Sequence, residues 1–446
     1  MDLNWHRYLS ARAPRYTSYP SALHFDGSIA AEDFAAKLEE VDLYRPLSLY
    51  VHVPFCRQLC WYCGCNMRVE NAYERALPYV DALIGEMALV GARLEGAGTP
   101  MSVHFGGGTP NFLRSREIQR ILEAIEAEIG LTDDATLAME IDPRLVEEGD
   151  VAALSDLGVS RLSLGVQDFD PAVQASINRH QSYELIESVV SQIRSAGIDD
   201  LSFDVLYGLP SQTEASFSDT IDLVMALAPD RVSVFGYAHM PSALPRQRAI
   251  NTSALPDAAA RYALSALADE KLLAGGYERI GFDHYARPAN ALAKAAREGR
   301  LKRNFQGFTE DPATAVIGFG ASAISFVDGL YAQNHKSPKA YGDAIASGSF
   351  ATERGLLRTR LENVVAGTIN DLLCKMRADV SEVLRAAKPQ DAVGICAALE
   401  QLEGDGLIRW SGDVVEIAEG AHAFARTVAT AIDPYMGGQK EFALSV

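Results

Sequence analysis

From Leu47 to Tyr237 the sequence alternates short β-rich runs with longer segments of helical periodicity, which leaves few folds open. The candidate strands are Leu47–Val53, Met101–Phe105, Thr136–Ile141, Arg161–Gln167, Leu201–Tyr207 and Arg231–Tyr237, with later candidates at Arg279–His284 and Ala315–Phe326. Between them, segments such as Tyr79–Leu94 and Ser115–Ile129 repeat apolar residues every three or four positions, as amphipathic helices coating a sheet do. Right-handed crossovers repeated six or more times predict an α/β fold. The expected form is a partial or full parallel (β/α) TIM-like barrel whose chemistry sits just after the strands.

The flanks read differently. Residues 1–45 contain Pro14-Arg15-Tyr16-Thr17-Ser18-Tyr19-Pro20, whose two prolines exclude a regular helix, so this stretch is expected as an N-terminal arm packed on the body. Residues 46–354 form the barrel domain. Residues 355–446 are expected as a smaller, mainly helical, winged-helix-like domain: helical stretches Leu361–Ala378 and Asp391–Leu402 lead into a hairpin of Leu407–Trp410 and Val414–Ile417. Such domains often bind DNA, but the chain carries a formal charge of −19, which opposes a phosphate backbone. Nucleic acid is therefore not expected as a partner. No apolar run is long enough to span a bilayer and the N-terminus lacks the order of a signal peptide, so a cytoplasmic protein is expected.

Six cysteines are too few for a disulfide scaffold in a chain of 446 residues, and four of them, Cys56, Cys60, Cys63 and Cys65, lie within ten residues, directly after the first strand. The triad Cys56-x3-Cys60-x2-Cys63 can hold three irons of a 4Fe-4S cube. Structural zinc sites usually pair two separated knuckles, and no second knuckle follows; zinc is the minor reading. Several buried thiols gathered in one loop would be an unusual core, because free cysteines usually enter apolar cores singly. Gly106-Gly107-Gly108-Thr109-Pro110 follows the second strand, where successive glycines let the backbone approach a ligand that a Cβ would block. Glu140, Gln167 and Asp204 stand at further strand ends, where each could bond a ligand or merely cap a helix or join an ion pair.

Three cysteines for four irons leave one position to an exogenous chelate, and here the chain resembles the radical S-adenosylmethionine (SAM) superfamily. Within it the match runs along nearly the whole length to oxygen-independent coproporphyrinogen III oxidase, also called coproporphyrinogen dehydrogenase. It is carried by the arm Pro14–Pro20, by Tyr50-Val51-His52-Val53-Pro54-Phe55-Cys56 through Cys63-Gly64-Cys65-Asn66, and by Gly106–Pro110. It continues in Gly165-Val166-Gln167-Asp168-Phe169, Tyr207-Gly208-Leu209-Pro210, Tyr237-Ala238-His239-Met240-Pro241, Asp283-His284-Tyr285-Ala286-Arg287 and Arg303-Asn304-Phe305-Gln306-Gly307. The Cys-Gly-Cys-Asn ending is similar to the oxidases rather than to their heme-chaperone relatives.

That resemblance implies a 4Fe-4S cluster on Cys56, Cys60 and Cys63 and two SAM molecules. The cluster-bound one would meet Tyr50, Gly107, Glu140 and Ile324. The second would meet Tyr62, Gly108, Thr109, Gln167, Arg179, Asp204 and Ala238. Without the resemblance Tyr50, Ile324 and Ala238 read as core residues and Arg179 as a solvated helix charge. Cys65 is an extra thiol outside the triad.

The implied reaction is oxidative decarboxylation of two propionates of coproporphyrinogen III to give protoporphyrinogen IX in heme biosynthesis, by a monomer fed by a reducing donor such as flavodoxin or ferredoxin. A propionate C–H bond offers no acidic proton, so acid–base chemistry has little purchase and hydrogen-atom abstraction supplied by the cofactor is the route. A tetra-anionic tetrapyrrole needs cations at its rim, and Arg15 and Arg303 are candidates. The chain departs from the family at Arg360-Leu361-Glu362-Asn363 and Leu373-Cys374-Lys375-Met376, where paired arginines and a Leu-x-Cys-Asn element are common. The alternatives are a related two-SAM methyltransferase or heme-degrading enzyme, and a heme chaperone of the same superfamily.

Overall fold

Six strands form the parallel core: β1 Pro46–Val53, β2 Thr99–Gly107, β3 Thr136–Ile141, β4 Val159–Gln167, β5 Asp200–Tyr207 and β6 Arg231–Gly236. They lie side by side in sequence order, each parallel to the next. The computed structural model describes residues 3–437 and 442–446. Helices such as Leu77–Leu94 and Ser115–Glu128 carry buried apolar faces (Val80, Leu83, Met87 and Val90; Ile118, Ile121 and Ile125) into one core with the strands' outward-facing residues. Among the described residues no helix is long and apolar enough to cross a membrane.

The sheet curves but does not close. Glu310 and Asp311, adjacent in the chain, reach Arg161 on β4, Arg231 on β6 and Ser102 on β2, which a flat sheet could not present together. Arg231 Nη2 lies 2.7 Å from both Asp200 and Glu310 carboxylates. Burial opposes the charge of Glu310, but Arg161 and Arg231 outweigh it and hold the carboxyl down at about 2. This ion network fills the barrel floor. Twelve strands run in one sheet whose two ends, Glu278–Ile280 and Thr352–Leu357, do not pair with each other, so the barrel is partial.

Ala315–Phe319 pairs parallel to β1. The expected single run Ala315–Phe326 is instead two antiparallel strands, Ala315–Phe319 and Ile324–Val327. Gly320 (φ +98°) and Ser322 (φ +66°) turn the chain between them. Arg279–His284 likewise divides at Gly281 (φ +63°) into Glu278–Ile280 and His284–Ala286, which pair antiparallel.

In the C-terminal region, helix Arg360–Lys375 ends at Met376 in the left-handed conformation (φ +55°), and Arg377–Asp379 is a strand where helix was expected through Ala378. Helices Ser381–Ala386 and Pro389–Gly404 and strands Ile408–Ser411 and Val414–Ile417 complete a three-stranded sheet with the order of a winged helix. Residues 5–19 of the arm pack here, whereas its helix Ala31–Glu39 sends Phe34, Ala35 and Leu38 into the barrel core. Trp5, Leu9, Tyr16 and Tyr19 share a second core with Leu372, Phe424 and Val428, and Tyr16 and Tyr19 both donate hydrogen bonds to Asp433.

Candidate functional site

The cysteine loop is pinned at both ends. Arg68 N–H donates to Pro54 O at 2.7 Å and Glu70 N–H to Cys56 O at 2.9 Å, so residues 57–67 project as a closed excursion above β1. Each sulfur of the triad faces donors. Thr109 Oγ1 lies 3.2 Å from Cys56 Sγ, Arg144 Nη2 and Arg179 Nη1 each lie 3.6 Å from Cys60 Sγ, and Cys65 N–H points to Cys63 Sγ at 3.4 Å. Such donors stabilise thiolates. A shared hydrogen bond with Cys65 draws the Cys63 thiol down to about 6, whereas burial pushes Cys56 up to about 12.

The three thiols line a cavity of about 200 Å³ that also meets Tyr62, Gly107, Gly108, Thr109, Glu140, Gln167, Arg179 and Asp204. Among the described residues no three side chains converge as tightly as one metal ion requires. Thiols spread around a common cavity fit a cube that takes one iron per sulfur, and the zinc reading has no such support.

The glycines do more than admit a ligand. Gly107 stands at φ +118°, and a Cβ there would lie 2.6 Å from the His52 ring; one on Gly108 would lie 2.9 Å from the Pro54 backbone. The run therefore also lets β2 pass beneath the cysteine loop. Glu140 extends beside it, 3.3 Å from Gly107 N–H and 3.2 Å from His104 Nε2.

A register shift between Gly165 and Gln167, with Gln167 at φ +68°, turns that amide into the cavity. Arg179 reaches across to donate to Gly165 O at 2.6 Å. Burial works against its charge, but Tyr62, Asp142 and Cys60 outweigh burial and keep it cationic; it is not the solvated charge that its sequence position suggests. Asp204 is pushed up to about 6 by burial and by the charge of Glu140, partly relieved by His284, Ser233 and Ser163.

Three expected site residues lie around this cavity rather than on its wall. Tyr50 stacks on His104 and pairs in register with Gly318, which in turn stands opposite Ile324. Ala238 is held by Gln247, whose amide donates both to Ala238 O (3.0 Å) and to Tyr62 O (2.9 Å). Sequence reasoning missed Gln247 and Arg144. Nothing in its sequence surroundings singles out Gln247. Arg144, four residues after Glu140, pairs with Asp142 at 2.6 Å and touches Cys60, and its place after a strand end was the available signal.

The radical SAM superfamily model matches residues 50–224. The chain is 40% identical over 436 residues to the oxygen-independent coproporphyrinogen III oxidase of Bradyrhizobium diazoefficiens, covering 97% of each. It is 38% identical over 431 residues to the protein of that name from Escherichia coli K12, covering 95% of this chain and 93% of the other. A solved structure of coproporphyrinogen III oxidase from Escherichia coli, described as a radical SAM enzyme, is similar at a TM-score of 0.89 and 36% identity, over 95% of this chain and 98% of that one.

Proposed function

Because the chain belongs to the oxygen-independent coproporphyrinogen III oxidase family of radical SAM enzymes, we propose how its residues perform the oxidative decarboxylation of coproporphyrinogen III to protoporphyrinogen IX. The observation that carries the reading is the single cavity shared by three thiols, the Gly107–Thr109 turn and the polar ends of β3, β4 and β5. A 4Fe-4S cluster and two SAM molecules are its cofactors. When bound, they supply one-electron sulfonium cleavage and hydrogen-atom abstraction from the propionate side chain.

The chain's own groups hold and tune. Cys56, Cys60 and Cys63 would take three irons. Thr109, Arg144, Arg179 and the Cys65 N–H spread the thiolate charge. Glu140, beside the Gly107 N–H, would accept from the amino group of the cluster-bound SAM, with Tyr50 and Ile324 behind the cavity wall. Gln167 and Asp204 would bond the hydroxyls of the second, in the space lined by Tyr62, Gly108, Thr109 and Arg179, with Ala238 held behind Tyr62 by Gln247. An external one-electron donor of the flavodoxin or ferredoxin kind would reduce the cluster, and a monomer in the cytoplasm is the proposed working form.

The test is an anaerobic assay of the reconstituted protein with coproporphyrinogen III, dithionite and SAM. Two carbon dioxide molecules per macrocycle, released together with 5′-deoxyadenosine, are expected. S-adenosylhomocysteine in their place, or an opened macrocycle, would replace this reading by methyl transfer or heme breakdown.

A further inference from the structure

We propose that the outer face of the cysteine loop, formed by residues 57–76 and 110–116 around a cavity of about 410 Å³, docks a small acidic one-electron carrier protein that feeds the cluster. This rests on the decarboxylase reading and gives its electron donor a place of entry.

Position is the first argument. Arg144 lines this outer cavity and the thiol cavity alike, and its Nη2 lies 3.6 Å from Cys60 Sγ. Val69, 41% exposed, stands in register with Cys56 on the paired strand, about 4.8 Å across the backbone. The inner side of the cluster is reserved for SAM, so an electron carrier has to approach from outside. This face brings it within one residue of two of the three thiols.

Charge is the second. Residues 54–76 and 110–117 carry five arginines (Arg57, Arg68, Arg75, Arg114 and Arg116) and three glutamates, in a chain of net charge −19. The Glu70 and Glu117 side chains are only 4% and 3% exposed, while Arg68, Arg75 and Arg116, which pair with them, are 50%, 72% and 61% exposed. Glu70 is held by the Asn71 and Ala72 N–H groups and Glu117 by the Tyr73 hydroxyl, so the carboxylates stay inside and their cations reach solvent. Arg57 and Arg114 form no ion pair among the described residues and lie over the Phe112 and Tyr73 rings, at 4.6 and 4.4 Å. Glu74 on the first segment and Glu147 and Asp150 in the cavity lining are the exposed acids here. An acidic protein is repelled by the chain as a whole and drawn to this patch.

Size is the third. Electron carriers dock transiently over small, charge-steered areas, whereas an obligate subunit needs a broad apolar face. A rim of five guanidiniums around a recess lined by Tyr73, Phe112 and Leu145 matches the first kind of partner.

The experiment measures carbon dioxide release by the reconstituted enzyme with SAM and coproporphyrinogen III, driven either by limiting reduced flavodoxin or by excess dithionite. The flavodoxin-driven rate of wild type should fall as ionic strength rises. Arg75→Glu combined with Arg114→Glu should lower that rate about tenfold or more at low salt and remove most of its salt dependence. The dithionite-driven rate, iron content and SAM binding should match wild type, because neither residue lines the thiol cavity. Arg114→Gln alone, which leaves the Glu70 and Glu117 pairings in place, should show the same selective loss in smaller measure. An unchanged flavodoxin-driven rate in the double variant overturns the assignment, as does an equal loss with dithionite. Failure of the decarboxylase reading shows itself separately, as wild-type enzyme that releases no carbon dioxide with dithionite.

Discussion

Arg179 places Nη1 3.6 Å from the sulfur of Cys60 while its other terminal nitrogen bonds the Gly165 carbonyl, so one buried guanidinium ties the cysteine loop to the end of β4. The cysteine loop and the residues proposed for the second SAM therefore meet through this side chain.

If the triad supplies all protein ligands, anaerobic reconstitution of Cys60→Ala should leave little iron and sulfide, and Cys65→Ala should retain the full complement. Iron and sulfide analysis with visible absorption reads both. A full cluster in Cys60→Ala would refute the assignment.

Donors to a cluster sulfur raise its potential by favouring the more negative reduced form. Arg144→Gln removes one from Cys60 without touching the residues assigned to SAM. The potential should fall by about 60 mV or more, the equivalent of a 1.4 kcal/mol interaction in a one-electron couple. Potentiometric titration monitored by EPR decides it; an unmoved potential means the contact is structural only.

Asp204 titrates near 6 in the folded protein against an ordinary value of 3.8. The raised group favours folding below pH 4, and that advantage is lost as pH rises from about 4 to 6, leaving a burial penalty at neutral pH. Asp204→Asn without SAM should therefore be more stable than wild type at pH 7.5, by at most about 3 kcal/mol, and no more stable at pH 4. The same variant should lose turnover. Denaturant midpoints at the two pH values check the first part; carbon dioxide release checks the second.

Gly107→Ala puts a Cβ against the His52 ring in a backbone conformation that L-residues avoid. A stability loss of about 1–3 kcal/mol is expected from the conformation alone, with weaker SAM cleavage because β2 must shift beneath the loop. A wild-type unfolding midpoint would show that the ring moves aside freely.

The period-two and period-3.6 patterns were enough for the six parallel strands and their coating helices, because burial on a curved sheet demands them locally. The gathering of Cys56, Cys60 and Cys63 around one cavity was equally legible, since a single short loop carries all three. The later strands were not: the breaks at Gly281 and Gly320 depend on positive φ angles within otherwise strand-like runs, which composition does not reveal.

What the sequence determined by itself was the chemistry, through residue types in fixed order: three thiols after one strand, glycines after the next, carboxylates and amides at later strand ends. What only the tertiary structure decided was which distant groups meet. Arg144 and Arg179 fall on the same sulfur, Gln247 joins Tyr62 to Ala238, and Arg303 is buried beside a cavity without a full set of partners. The Arg144–Cys60, Arg179–Cys60 and Gln247–Tyr62 contacts cross 84, 119 and 185 residues of chain. Local propensity carries no information over such separations; curvature of the sheet and closure of the arm bring the groups together.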